Sequence, residues 1–294
     1  LCLAAPGFVR PVVKMAPSED GVPQAKRHKL VGHANFKRHN PMSDRFTVHS
    51  FHHLDFWCAD ASNTYRRFAH GLGMQLVAKS DQSTGNHTFA SYVVRSNGVT
   101  FAFTAPYSSK VEKTGISALP QYDQEEARRF IGSHGLAVRA VGILVDDATK
   151  AYEVATANGA KGVTKPQVLS EHTEGGGSVV LSEVHLYGEV VLRFVSRNGF
   201  HGPFLPNYTP EASANEMFGL QRIDHVVGNV FDLLEVVDYV TAMTGFHEFA
   251  EFVAEDVGTV DSGLNSMVLA CNNEAVLLPI NEPTHGTRRK SQIQ

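Results

Sequence analysis

His225 stands in the run Arg222-Ile223-Asp224-His225-Val226-Val227-Gly228-Asn229, one imidazole among apolar residues that read as a strand. An imidazole in that setting is either a hydrogen-bonded core group or a metal ligand. Repetition favours the ligand. The same strand, helix and hairpin pattern occurs three times, and only the third copy puts histidine where the others put Phe56 and Gly142. Other candidate pairs read as decoys. His52 and His53, adjacent on a strand, are expected to point to opposite faces, so they cannot both reach one ion. Glu183 and His185 share a face and are read as an exposed strand pair. Gly175-Gly176-Gly177 lacks the following Lys and Ser/Thr of a phosphate loop and reads as a hairpin connection.

The repeating unit is a strand, a helix of about three turns closed by glycine, and a hairpin-rich run of strands. In the first copy Leu54 to Cys58 is the strand, and Tyr65, Phe68, Ala69 and Leu72 form an apolar helix stripe before Gly73. In the second, Val141 to Val145 precedes Ala148, Ala151, Tyr152 and Ala155, with Gly159 after them. In the third, Leu220 to Asn229 precedes Leu233, Val236, Val237 and Val240, with Gly245 closing. Such stripes have the period of a helix packed on a sheet, and glycine suits the left-handed residue that ends it. Asp60 and Asp146 precede Gly73 and Gly159 by the same interval. Hairpins follow at His87–Val94 with Val99–Phe103, at Val179–Leu186 with Glu189–Val195, and at Leu264–Ala270 with Ala275–Asn281. Ser96-Asn97-Gly98 supplies a hairpin turn. The fold class is therefore α+β, built of βαβββ modules three times over.

Period two puts His225 and Val227 on one strand face, aligns Leu277, Pro279 and Asn281, and aligns Leu264, Ser266 and Val268. A proline within a strand belongs at an edge or bulge, which suits the rim of a half-open barrel. Taken alone, these polar residues are also compatible with ordinary strand polarity and turn chemistry.

Composition fits a globular enzyme of about two domains at roughly 150 residues each. The net charge of −4 makes no electrostatic case for nucleic acid, and no apolar run approaches a bilayer span. Cys2, Cys58 and Cys271 have no ligand-like spacing and read as reduced thiols of an intracellular protein. Residues 1–14 carry Arg10 and Lys14 without acids, and read as the tail of a transit peptide or as sequence upstream of a start at Met15. Residues 1–43 are expected to be a flexible arm. The third unit is expected to need a fourth to close against, so the chain reads as an N-terminal fragment.

Several strings carry a resemblance. Phe51-His52-His53-Leu54-Asp55-Phe56-Trp57-Cys58, Ser80-Asp81-Gln82-Ser83-Thr84-Gly85-Asn86 and Phe103-Thr104-Ala105-Pro106-Tyr107 resemble the plant 4-hydroxyphenylpyruvate dioxygenase family. So do Arg222 to Val230, Thr244-Gly245-Phe246-His247-Glu248-Phe249, Leu278-Pro279-Ile280-Asn281-Glu282-Pro283 and Arg289-Lys290-Ser291-Gln292-Ile293-Gln294. The similarity runs from about Phe36 to the end. That family belongs to the vicinal oxygen chelate (glyoxalase-like) superfamily of paired βαβββ modules, so three of an expected four modules are present.

The resemblance implies two metal-free modules over 44–205 and the first half of an iron-binding domain over 218–294. It implies Fe(II) held by two histidines and a carboxylate, with His225 as the first histidine and the other two ligands beyond Gln294. It places Ser266, Asn281 and Gln292 as polar groups around the substrate, and Val227 and Pro279 as apolar wall. The implied reaction converts 4-hydroxyphenylpyruvate and O2 to homogentisate and CO2, within tyrosine breakdown and quinone and tocopherol supply. The chain alone is expected to be inactive. A homodimer is implied, in the cytoplasm or alternatively a plastid, with no nucleic-acid or membrane partner. The alternatives are a hydroxymandelate synthase-like oxygenase and a metal-free binding module of the same fold.

Overall fold

The computed structural model describes residues 29–107, 118–170, 176–257, 263–284, 291 and 293. Gln292, expected at the pocket, and residues 1–14 lie outside the described residues.

Three modules follow one plan. The first comprises β1 (Val48–Trp57), α1 (Ala61–Leu72), β2 (Gln75–Ser80), β3 (Phe89–Ser96) and β4 (Val99–Pro106). Helix α2 (Gln124–His134) links it to the second: β5 (Ala137–Val145), α3 (Ala148–Ala157), β6 (Gly162–Ser170), β7 (Ser178–Tyr187) and β8 (Val190–Asn198). After the short β9 (Thr209–Pro210) the third runs β10 (Gly228–Asn229), α4 (Leu233–Thr244), β11 (His247–Phe252), α5 (Ala254–Val257), β12 (Leu264–Ala270) and β13 (Leu277–Pro283). In each module the opening strand lies parallel beside the closing one: β1 on β4, β5 on β8, β10 on β13. The first two modules join through antiparallel β1 and β5 into one nine-stranded sheet, while the third forms a separate four-stranded sheet.

Local chemistry sets the boundaries. Asp60, Asp147 and Asp232 cap the three module helices, each accepting a backbone N–H in the first turn. Gly73 and Gly245 end theirs at φ 61° and 79°, where other residues are strained. In the second module Asp147 is the cap, and the preceding Asp146 bonds His49 Nε2 at 2.6 Å instead. Pro106 and Pro283 each pair with the first residue of the preceding strand, Phe89 and Leu264, so both hairpins close in the same register.

Three expectations need correction. Helix α2 was not foreseen, because its charged run, Glu125-Glu126-Ala127-Arg128-Arg129, buries little besides Gln124, Ala127 and Phe130. The strand expected over Leu220–Asn229 is assigned only at Gly228–Asn229. The chain still tracks β13, with Val226 N donating to Leu277 O (3.1 Å) and Val230 N to Asn281 O (2.8 Å). It pairs on one side only, since β10 is the edge of its sheet. Residues 29–43 are not a free arm. His33 stacks on Phe252 at 5.0 Å, Gly32 N donates to Glu251 Oε1 at 2.6 Å, and the Arg38 guanidinium lies 3.9 Å over the Phe249 ring.

The helical faces of the second and third modules share one core, in which Ile143, Leu192 and Phe194 belong with Val240, Met243, Met267, Leu269 and Ile280. Burying each such side chain contributes about 1.5–3 kcal/mol. Tyr239 of α4 fixes the contact: its hydroxyl donates to His185 O (2.9 Å) and accepts from Lys161 N (3.1 Å). With that face spent on the core, the opposite face of the third sheet is left for a site.

Candidate active-site cleft

The open face of the third sheet lines a cleft of about 360 Å³. Register explains which residues reach it. Ser266 is opposite Asn281 and Val268 opposite Pro279, while Met267 and Ile280 between them turn into the core. Strand β11 continues the rows, Phe252 beside Ser266 and Ala250 beside Val268. On the far side Asn229 is opposite Asn281, which carries Val227 to Pro279 and His225 to Leu277. His225, Val227, Ser266, Pro279 and Asn281 all line this one cleft.

His225 is less enclosed than the sequence implies. Its side chain is 48 % exposed, because the segment before Gly228 is not a full strand. Asp224 Oδ2 lies 2.8 Å from His225 Nδ1. That bond, with the charge of Arg222 beside it, holds the Asp224 carboxyl below its ordinary value. The ionised carboxylate places the imidazole proton on Nδ1 and leaves the Nε2 lone pair for a ligand. The Asn281 amide nitrogen is turned to Asn229 Oδ1 at 3.3 Å.

Strand periodicity missed the aromatic wall. A register shift between Glu248 and Ala250 inserts Phe249 as an extra residue, so Phe249 and Ala250 both reach the cleft alongside Phe252. A simple alternation assigns Phe249 to the other face. The Phe-Ala-x-Phe spacing was the available signal, but only the bulge gives it meaning.

The paired first modules fill the corresponding concave face with charge. Arg193 donates from Nε to Glu183 (2.7 Å) and from Nη1 to Asp55 (3.1 Å) and His53 Nε2 (2.9 Å), all buried. Burial would push Glu183 up, but the Arg193 charge and the Thr164 and Arg193 hydrogen bonds hold it low. Glu183 is thus no exposed partner of His185, since β7 turns it into this network. His53 and His52 do not point apart either. A register shift between Phe51 and His53 brings their Nδ1 atoms to 2.7 Å. Burial first, then the neighbouring His52 and Arg193, drives His53 well below its usual value, so its ring is neutral. Phe56 packs on Phe68 of α1 and faces the helix, so Asp55 and not Phe56 is that strand's counterpart of Gly142 on the concave face. Gly142 itself is required there, as a Cβ would fall 2.7 Å from the His53 ring.

A ferrous centre of the two-histidine, one-carboxylate kind takes three protein donors on one face. Imidazole Nε2 of His225 fits one of them. Among the described residues no group of three His, Cys, Asp or Glu side chains comes together to hold a metal. No helix of the described residues is long and apolar enough to cross a membrane.

Sheets built of repeated βαβββ units are the vicinal oxygen chelate fold. Solved structures share this fold. A triple mutant of 4-hydroxymandelate synthase from Streptomyces coelicolor matches with a TM-score of 0.65 at 16 % identity, over 84 % of this chain and 66 % of that one. A fusion of a xylose isomerase-like TIM barrel with 4-hydroxyphenylpyruvate dioxygenase matches at 0.56 and 17 % identity, over 81 % of this chain and 32 % of that one. No family model matches the chain. Sequence relatives go further. The 4-hydroxyphenylpyruvate dioxygenase of Plectranthus scutellarioides is 56 % identical over 90 % of this chain and 61 % of its own length. That of Arabidopsis thaliana is 50 % identical over 94 % and 63 %. That of Pyricularia oryzae is 33 % identical over 95 % and 69 %. The chain belongs to the 4-hydroxyphenylpyruvate dioxygenase family. It spans about 60 % of the length of the plant relatives.

Proposed function

We propose that this chain forms the larger part of an Fe(II)-dependent oxygenase that turns 4-hydroxyphenylpyruvate and O2 into homogentisate and CO2. The observation that carries the reading is the convergence of His225, Val227, Ser266, Pro279 and Asn281 on one cleft face. Iron, when bound, supplies the activation of dioxygen. The chain's own residues do the rest. His225 offers Nε2 to the metal, with Asp224 holding the ring by Nδ1. Val227, Pro279, Phe249 and Phe252 give an aromatic substrate an apolar wall, and Ser266 and Asn281 present polar groups opposite one another. A wall of this kind orients the ring and excludes water from the reacting end.

The metal's remaining protein donors belong, on this reading, to the portion of the relatives that this chain does not span. A homodimer through the first two modules and a cytoplasmic location, with a plastid as the alternative, rest on the family resemblance.

The test is His225→Ala in a chain carried to the relatives' full length. The parent should retain one equivalent of iron and release homogentisate. The variant should lose more than roughly 100-fold in iron affinity, since even an outer-shell partner is worth 10–100-fold. Equal iron retention by the variant rejects the assignment, and hydroxymandelate as product rejects the reaction.

A further inference from the structure

The two rings in the wall of the His225 cleft, Phe249 and Phe252, stand on a strand that gives them little support of its own. Strand β11 is the edge of its sheet and pairs with β12 alone. The register shift between Glu248 and Ala250 interrupts even that ladder at Phe249. Pro279, by contrast, lies on β13, which has a strand on either side.

Support for the rings comes from far away in the chain. Residues 31–43 precede the first module, yet they bond to the third. Glu251 Oε1 accepts Gly32 N at 2.6 Å, and Asp256 Oδ2 accepts His33 N at 2.8 Å. Further along, Asn40 Nδ2 donates to Asn272 O and Ser43 Oγ to Gly245 O, each at 2.8 Å. Two side chains of this anchored segment cover the wall rings. His33 stacks on Phe252, with centroids 5.0 Å apart and planes 4° from parallel. The Arg38 guanidinium lies 3.9 Å from the Phe249 centroid, and Glu274 holds it there through both carboxylate oxygens.

The two contacts differ in kind. The His33 ring makes no hydrogen bond among the described residues, so what it supplies is a flat face against Phe252. Arg38 supplies a cation over a π-face, an attraction that needs the charge as well as the contact. Neither side chain lines the cleft itself, so each acts on a substrate only by setting the angle of the ring it covers.

We propose that His33 and Arg38 are positioning residues for the substrate of the cleft, fixing Phe252 and Phe249 so that they meet an aryl ring in one orientation. The assignment rests on the oxygenase reading of the cleft. A wall set before the substrate arrives lowers the ordering cost of binding. Contacts made equally before and during reaction act on KM and leave kcat in place.

The test uses the iron-loaded chain carried to the relatives' full length. His33→Ala and Arg38→Met should each raise KM for 4-hydroxyphenylpyruvate by about tenfold, with kcat within about twofold of the parent and iron content unchanged. His33→Phe restores a flat face without the imidazole and should return KM to near the parent value. Arg38→Lys keeps the charge and should recover part of the loss. Unchanged KM in both truncated variants overturns the positioning role, as does a fall in kcat and iron content with KM unmoved. A KM as high in His33→Phe as in His33→Ala overturns the stack as its cause. A parent that holds iron but releases no homogentisate instead rejects the oxygenase reading, and this assignment with it.

Discussion

Arg193 Nη1 of β8 lies 3.1 Å from Asp55 Oδ2 of β1, and both side chains are buried at the seam between the first two modules. The same guanidinium holds Glu183. One cation thus bridges two buried acids where the third module keeps an open cleft; it holds Glu183 low, while burial pushes the Asp55 carboxyl up. Replacing Arg193 by Met leaves both carboxylates without a counter-charge. The expected loss is about 3–5 kcal/mol of stability, read by denaturant melts of the chain. Arg193→Lys should recover only part of it, because an ammonium cannot copy the guanidinium fork. Unchanged stability in Arg193→Met would remove the network from the account of this fold.

Gly228 permits the close approach of β10 to the second module. A Cβ at this position would overlap the Tyr187 ring, which belongs to β7. Gly228→Ala should cost about 1–3 kcal/mol, the usual scale of overpacking. Adding Tyr187→Leu should recover much of that loss in a double-mutant cycle. Additive losses would place the strain elsewhere.

Asp44 predicts a pH dependence with a definite sign. Burial lifts its carboxyl from the ordinary 3.8 to about 6, only partly countered by the Asn272 backbone N–H. The folded state therefore binds this proton more tightly than the unfolded one. Its contribution is full below about pH 4 and is lost as pH rises through 6. The stability of the parent minus that of Asp44→Asn should fall across that window. A difference that is flat or rising would show that Asp44 titrates normally.

Glu251, fully buried, accepts the backbone N–H groups of Val31 and Gly32. Glu251→Ala strips both acceptor bonds and should free residues 29–43 from β11. Amide exchange at Val31 and Gly32 should accelerate, with the loss of about 1–3 kcal/mol of local protection. The Phe249 and Phe252 rings, braced by Arg38 and His33, should become more mobile in the same variant. Exchange that stays slow would mean that other contacts, among them His33 N to Asp256 Oδ2 and Asn40 to Asn272 O, hold the segment without Glu251.

Much of the fold was legible because its signals are local. Apolar stripes before Gly73 and Gly245, the Asn97 turn and the matching prolines all act within a few residues, and each found its element. The sequence pattern gives β12 the same bounds as the structure, Leu264–Ala270. Alternation also assembled the cleft face from Ser266, Val268, Pro279 and Asn281, since one buried face leaves strand register little choice.

What failed did so at bulges and across modules. Alternation sets His52 and His53 on opposite faces, but a register shift brings their rings together, and the same device hides Phe249 from a period-two pattern. Glu183 looks exposed in the sequence because its partner, Arg193, and the acid that shares it, Asp55, come from other strands. By itself the sequence determined the repeated module, its helix ends and the residues offered to one cleft, because periodicity and caps are written in neighbouring residues. Only the tertiary structure decided which concave face is filled by buried ions and which stays open. That choice depends on how strands far apart in the chain lie against one another.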